Sequence, residues 1–158
     1  MRLVLFQPDI PQNTGTLLRL GAALGVGVDV IEPCGFVWSD RHLRRAGMDY
    51  LDQVDLRRWS SWQAYQVAPH TGRLVLLTTS ATLAYPCFAF AREDRLLLGR
   101  ESGGVADPQR EAADAAIAIP MRPPARSLNV AIAAAMVLGE ALRQTNQLSA
   151  PFSGDAVP

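Results

Sequence analysis

The sequence predicts an α/β fold: a single domain with a mostly parallel sheet flanked by helices. Three observations carry that prediction. Short, almost wholly apolar runs recur along the chain, as in strands covered on both faces. Stretches with helical periodicity lie between them. The 158 residues, 49% hydrophobic and 19% charged, suffice for one domain that removes roughly 70% of its unfolded surface from water.

RLVLF (2–6) opens the chain as a strand. Helical spacing then runs from about Asn13 to Leu24, with Asn13 placed as a cap. Leu17, Leu20, Gly21 and Leu24 share one face of that helix, while Thr16 and Arg19 lie on another. VDVI (28–31) is the second strand; short helices follow at Asp40 to Ala46, after the capping residue Ser39, and at Ser60 to Val67. RLVLLTT (73–79), RLLLG (95–99) and AAIAIP (115–120) read as strands, with a short helix around Pro108 to Ala113 before the last of them. A long Ala-rich helix closes the domain, and Ser127 suits its N-cap. That helix is apolar around much of its circumference, which implies burial against more than one element, a subunit interface supplying the second surface. The domain is expected to span 1–146, and the small, turn-forming residues of 147–158 to form a loose tail.

All fifteen basic residues are arginines, which excludes a Walker A loop and Schiff-base chemistry on lysine. Formal net charge is zero, so a polyanionic partner would have to be met by a local patch. Cys34 and Cys87 have no neighbours at metal-ligand spacing and read as buried thiols; no metal is expected. The opening apolar run is too short for a signal peptide, and Val130 to Gly139 falls well short of the roughly 20 residues a membrane span requires. A cytoplasmic protein is the expectation. Gly25-Val26-Gly27-Val28 follows a helix rather than a strand and is no dinucleotide fingerprint. His42 and His70 lack a motif partner, and Ser102 sits in Gly-x-x-Ser-Gly rather than a nucleophile elbow. Trp59 and Trp62, beside Arg57 and Arg58, suit core or interface packing better than base stacking.

Ligands of open parallel sheets bind beyond the carboxyl ends of strands, so the residues just after each strand matter most. RLVLL is followed by Thr78-Thr79-Ser80, and RLLL by Gly99-Arg100-Glu101-Ser102-Gly103-Gly104. AIAI is followed by Pro120-Met121-Arg122-Pro123-Pro124-Ala125-Arg126-Ser127. Three glycines around a carboxylate let backbone amides approach a ligand, although a plain tight connection would use them too. Arg41, Arg44 and Arg45 fall on one helical face, suited either to phosphate oxygens or to solvent and pairing with Asp40, Asp49 and Asp52.

With NTGTLLRL, LLLGRESGG and IPMRPPARSLNVAIAAAMVLGEALR in place, the chain resembles the SPOUT class of RNA 2′-O-ribose methyltransferases. It is most similar to the small tRNA (cytidine/uridine-34) 2′-O-methyltransferases, from Leu3 to about Gln144 and through IEPCGFVWSDRHLRRAGMDY. The resemblance implies a C-terminal trefoil knot, a homodimer, and S-adenosylmethionine held by the three strand-end loops. Carried over, the cofactor-binding residues are Leu77, Thr78, Gly99, Glu101, Ile119, Met121, Ser127 and Asn129. Arg19 would act on the ribose hydroxyl, reaching the other subunit's pocket, with Asn13 positioning it; Arg41, Arg44, Arg45, Arg122 and Arg126 would bind the anticodon stem-loop of tRNA. Arg100 departs from the family, which often carries Pro or Ser there, and Ala131-Ile132 stands where relatives often read Ser-Asn. Methylation of another tRNA or rRNA position, or a nucleotide- or RNA-binding module without chemistry, remain the alternatives.

Overall fold

Parallel pairing places every strand's carboxyl end on one edge of the sheet, and that edge carries the site. The computed structural model describes residues 1–38 and 52–148. In chain order the elements are β1 (Arg2–Phe6), α1 (Pro11–Leu24), β2 (Gly27–Ile31), β3 (Leu56–Trp59) and α2 (Trp62–Val67). Then come β4 (Leu74–Leu77), a 3₁₀ turn (Tyr85–Cys87), β5 (Arg95–Leu98), α3 (Asp107–Glu111), β6 (Ala115–Ile117) and α4 (Val130–Gln144). The strands form one six-stranded sheet in the order β3-β2-β1-β5-β4-β6, every neighbouring pair parallel.

Side-chain alternation divides the core between two faces. Leu3 and Leu5 of β1, Val28 and Val30 of β2, and Leu96 and Leu98 of β5 pack with Leu17 and Leu18 of α1 and with Ala134, Val137, Leu138 and Ala141 of α4. Val4 and Phe6, Leu74 and Leu76, and Leu97 face the other way, against Trp62 and Tyr65 of α2. Each fully buried Leu or Val contributes about 2 kcal/mol through burial alone. Trp62 therefore belongs to the core, edge-on to Phe6, and Trp59 donates its Nε1–H to Asp29 Oδ1 at 3.0 Å, the packing roles expected of both.

Several expectations change. LRRW (56–59) is a strand that the sequence did not betray: it pairs only with β2, and its two central arginines point into solvent, so no apolar run marks it. The first helix starts at Pro11, whose missing N–H suits a first helical position, so Asn13 is not its cap. Ser127 does not cap the last helix either; Asn129 does, its Oδ1 accepting from Ala131 N at 2.9 Å and Ile132 N at 3.3 Å. Leu24, expected on the buried face, is 36% exposed because the last turn of α1 leaves the core. Cys87 is exposed rather than buried; Cys34 is half-buried, and burial pushes its thiol up to about 11. The helix expected at Asp40 to Ala46, like the tail from residue 149, lies outside the described residues. Among the described residues no helix is long and apolar enough to cross a membrane.

Candidate functional site

The turns after β4, β5 and β6 meet at one hollow. The β5 turn is closed on itself: Arg100 N donates to Gly104 O at 3.0 Å and Gly104 N to Arg100 O at 2.8 Å. Gly104 takes φ +66°, a conformation glycine adopts freely. At Gly99 any Cβ would lie 2.5 Å from the Gly104 carbonyl carbon, so only glycine admits this fold of the chain. The turn after β4 is tied to the neighbouring strand by Thr78 N donating to Ile117 O at 3.0 Å. The segment after β6 runs parallel to the one after β4: Tyr85 N donates to Ala118 O at 2.9 Å and Ala118 N to Leu83 O at 2.8 Å. The result is a cavity of about 500 Å³.

All eight residues nominated for a cofactor line it: Leu77 and Thr78 from the first turn, Gly99 and Glu101 from the second, Ile119, Met121, Ser127 and Asn129 from the third. Asn13 joins them from α1, as does Arg100 from the β5 turn. Arg122 and Arg126 are exposed on the third turn and do not line the hollow. Arg19 is exposed on α1 and does not line it either. Arg41, Arg44 and Arg45 lie outside the described residues.

A polar chain runs along one wall. Asn129 Nδ2 donates to Asn13 Oδ1 at 2.9 Å, and Asn13 Nδ2 donates to Glu101 Oε1 at 2.8 Å. Glu101 Oε2 accepts from Asp9 N at 3.1 Å, and Asp9 answers by accepting from Glu101 N at 3.1 Å and Ser102 N at 3.2 Å. Two amides of the glycine turn thus have a carboxylate acceptor, and the residue capping α4 is linked through Asn13 to α1. The Asp9 carboxyl is held down at about 2, first by hydrogen bonding with the Glu101 side chain and then, against the upward push of burial, by Ser102 and the Glu101 amide. Asp9 is the residue that sequence reasoning missed. The strand-end argument applied to β4, β5 and β6 holds equally for β1, whose carboxyl end runs into Gln7-Pro8-Asp9 at the same edge of the sheet.

Dimensions and lining suit a small organic ligand: the volume is within the range of about 300–1,000 Å³ usual for such sites, with apolar walls and a few convergent polar groups. Among the described residues no cluster of His, Cys, Asp or Glu has the arrangement of a metal site. A profile of the SpoU rRNA methylase family matches residues 1–139. The chain belongs to that family. A SpoU-family relative, the tRNA (cytidine(34)-2′-O)-methyltransferase of Beijerinckia indica, is 60% identical over 93% of this chain and 93% of its own. A solved structure described as giving insight into the 2-OH methylation of C/U34 on tRNA superposes with a TM-score of 0.83, at 39% identity over 90% of this chain and 89% of its own. The SpoU methyltransferase AviRb of Streptomyces viridochromogenes, solved in complex with AdoMet, gives a TM-score of 0.78 at 30% identity, over 91% of this chain and 57% of that one.

Proposed function

We propose that this chain transfers a methyl group from S-adenosylmethionine to the ribose 2′-hydroxyl of the wobble nucleotide, C34 or U34, in a tRNA anticodon loop. One observation carries the reading: turns distant in sequence, after β4, β5 and β6, close a single hollow lined by all eight residues the family resemblance nominates. The naming of relatives that span nearly the whole chain supports the substrate, and the cofactor in the AviRb complex supports the donor.

When bound, S-adenosylmethionine supplies an electrophilic methyl group on a sulfonium. The protein's part is placement. Backbone groups of the Gly99–Gly104 turn and the apolar side chains of Leu77, Ile119 and Met121 hold the donor, and Asn129 keeps the third turn in register with α4. A reacting oxygen held in line at about 3 Å turns a bimolecular encounter into an intramolecular step. Arg19, orienting the hydroxyl and stabilising the alkoxide as it forms, acts as an electrostatic partner, because a guanidinium does not give up its own proton. Solvent or a substrate phosphate accepts the hydroxyl proton.

A homodimer belongs to the same reading. Ile132 and Met136, at 56% and 41% exposure, lie four residues apart on the outer face of α4, with exposed Leu128 just before the helix, apolar groups suited to a partner surface. Arg19 stands outside its own chain's cavity, and a second subunit packed on that surface would receive it. Arg19→Ala tests the mechanism: cofactor binding by calorimetry is expected to persist while methyl transfer to tRNA falls at least about a hundredfold. Undiminished turnover with intact binding would remove Arg19 from the chemistry.

A further inference from the structure

Five arginines of the described residues are consumed in close ion pairs. Arg2, Arg57, Arg58, Arg73 and Arg143 each meet a carboxylate at ion-pair distance. Around the cavity mouth, among the described residues, Arg110, Arg122 and Arg126 form no ion pair, and Arg100 comes no nearer than 4.0 Å to Asp9, its Nε buried without an acceptor. The chain has zero formal net charge, so Arg110, Arg122 and Arg126, exposed and paired with no carboxylate among the described residues, add positive charge locally against a balanced background.

Arg110 is the organised member of the group. It is exposed on α3 and donates Nη1–H to Ser80 Oγ at 2.7 Å; Ser80 Oγ in turn lies 3.1 Å from Thr78 Oγ1, on the cavity wall. A guanidinium and two hydroxyls therefore stand in a row leading from the hollow to the surface. One of five guanidinium N–H groups is committed, and the others are available to an oxyanion. Neither Arg110 nor Ser80 lines the hollow, so a molecule confined to it has no need of them. An anion that binds this row lies just outside, where a strand feeding its nucleotide into the site must pass.

We propose that Arg110 and Ser80 form a phosphate-binding subsite that takes a phosphodiester of the RNA substrate beside the reacting nucleotide. This rests on the RNA methyl-transfer reading above. Such a contact positions the strand and carries no base specificity.

The test uses the full chain, a synthetic tRNA anticodon stem-loop and S-adenosylhomocysteine as probes, with Arg110→Gln, Arg110→Lys, Ser80→Ala and Arg57→Gln at the opposite edge as control. Arg110→Gln is expected to weaken RNA binding about fivefold, the size of one solvated charge-assisted contact, and Ser80→Ala to weaken it by less. The slope of log affinity against log salt is expected to become shallower by about 0.7 in Arg110→Gln, the value for one phosphate on a single strand. KM for RNA rises with kcat unchanged, S-adenosylhomocysteine affinity stays the same, Arg110→Lys restores the slope, and Arg57→Gln changes nothing. An unaltered RNA affinity and slope in Arg110→Gln overturns the subsite, as does weaker S-adenosylhomocysteine binding, which would assign the row to the cofactor. Wild-type protein that methylates no tRNA overturns the parent reading instead, and the binding slopes still decide the subsite.

Discussion

The two edges of the sheet use the same residue types for opposite ends. At the amino edge, charges are consumed: buried Asp29 holds Arg2 Nε at 2.8 Å and the Trp59 indole at 3.0 Å, and buried Asp94 holds Arg73 at 2.7 Å. Asp94 also accepts from Ala91 N at 2.8 Å, and Asp114 accepts from Leu74 N at 2.7 Å, so carboxylates there staple strand starts together. At the carboxyl edge Asp9 accepts from the Glu101 and Ser102 amides of the glycine turn and Glu101 accepts from the Asp9 amide and Asn13 Nδ2, so these carboxylates are spent on loops rather than on arginines. The buried carboxylates of the first edge lock strands to one another, while those of the second hold the loops that shape the cavity. Stability and function are thereby separated along the strand direction, and mutations at the two edges should be distinguishable by which property they move.

The largest effect is expected from Asp29→Ala. It leaves the Trp59 indole N–H without its acceptor and takes from the largely buried Arg2 guanidinium one of its two carboxylates, Asp55 remaining, a change that costs about 3 kcal/mol when a buried pair loses one member. Urea unfolding should show that loss, while S-adenosylhomocysteine affinity of the folded protein remains that of the wild type. A drop in affinity at unchanged stability would break the division between the edges.

Asp9→Ala should do the reverse. It removes the acceptor of the Glu101 and Ser102 amides from a partly solvated turn, so stability falls by only about 1 kcal/mol. The turn it releases lines the cavity, and methyl transfer is expected to fall about tenfold to a hundredfold, as displacement of a positioned group by an ångström does. Steady-state kinetics beside a urea curve on the same preparation separates the two quantities.

Asn129→Ala against Ser127→Ala sharpens the comparison within a single turn. Asn129 caps α4, and its loss should cost about 1 kcal/mol, whereas Ser127 bonds no helix amide and its removal should leave the urea midpoint unchanged. If Ser127→Ala proves the more destabilising, the cap assignment is wrong.

Most of the architecture is legible in the sequence because parallel strands covered on both faces are written as continuous apolar runs, and α4 as an Ala-rich stretch. The elements that escape such reading obey a different rule. β3 is an edge strand whose apolar residues, Leu56 and Trp59, sit at its ends around two solvated arginines, so neither a continuous nor an alternating pattern appears. The caps mislead for a related reason: Ser127 and Asn13 are good capping residue types, but the helices begin where Pro11 and Val130 take helical geometry, and chain path rather than type decides. In the site, glycine turns and strand ends are readable from position alone. Asp9 is readable by the same rule once it is applied to β1, but its partner Glu101, 92 positions away, is not, and neither is the pairing of Arg110 with Ser80, 30 positions away.

The smallest expected effect concerns acid. Asp9 titrates at about 2 in the folded chain against an unfolded value near 3.8. A carboxyl group lowered on folding adds stability that is complete above the unfolded value and is lost as pH falls through the folded one. The anchoring of the glycine turn should therefore be intact at neutral pH and disappear between about pH 4 and pH 2. Asp55, lowered by its hydrogen bond with Arg2, titrates in the same direction at the opposite edge, so acid unfolding of the wild type reports on both. Comparing Asp9→Asn with the wild type isolates the cavity edge: the variant's stability should fall less steeply across this window, with the curves drawing together toward pH 2. Parallel curves would mean that Asp9 is no better an acceptor in the folded chain than in the unfolded one, and the order of the glycine turn would have to be credited to its own Arg100–Gly104 hydrogen bonds.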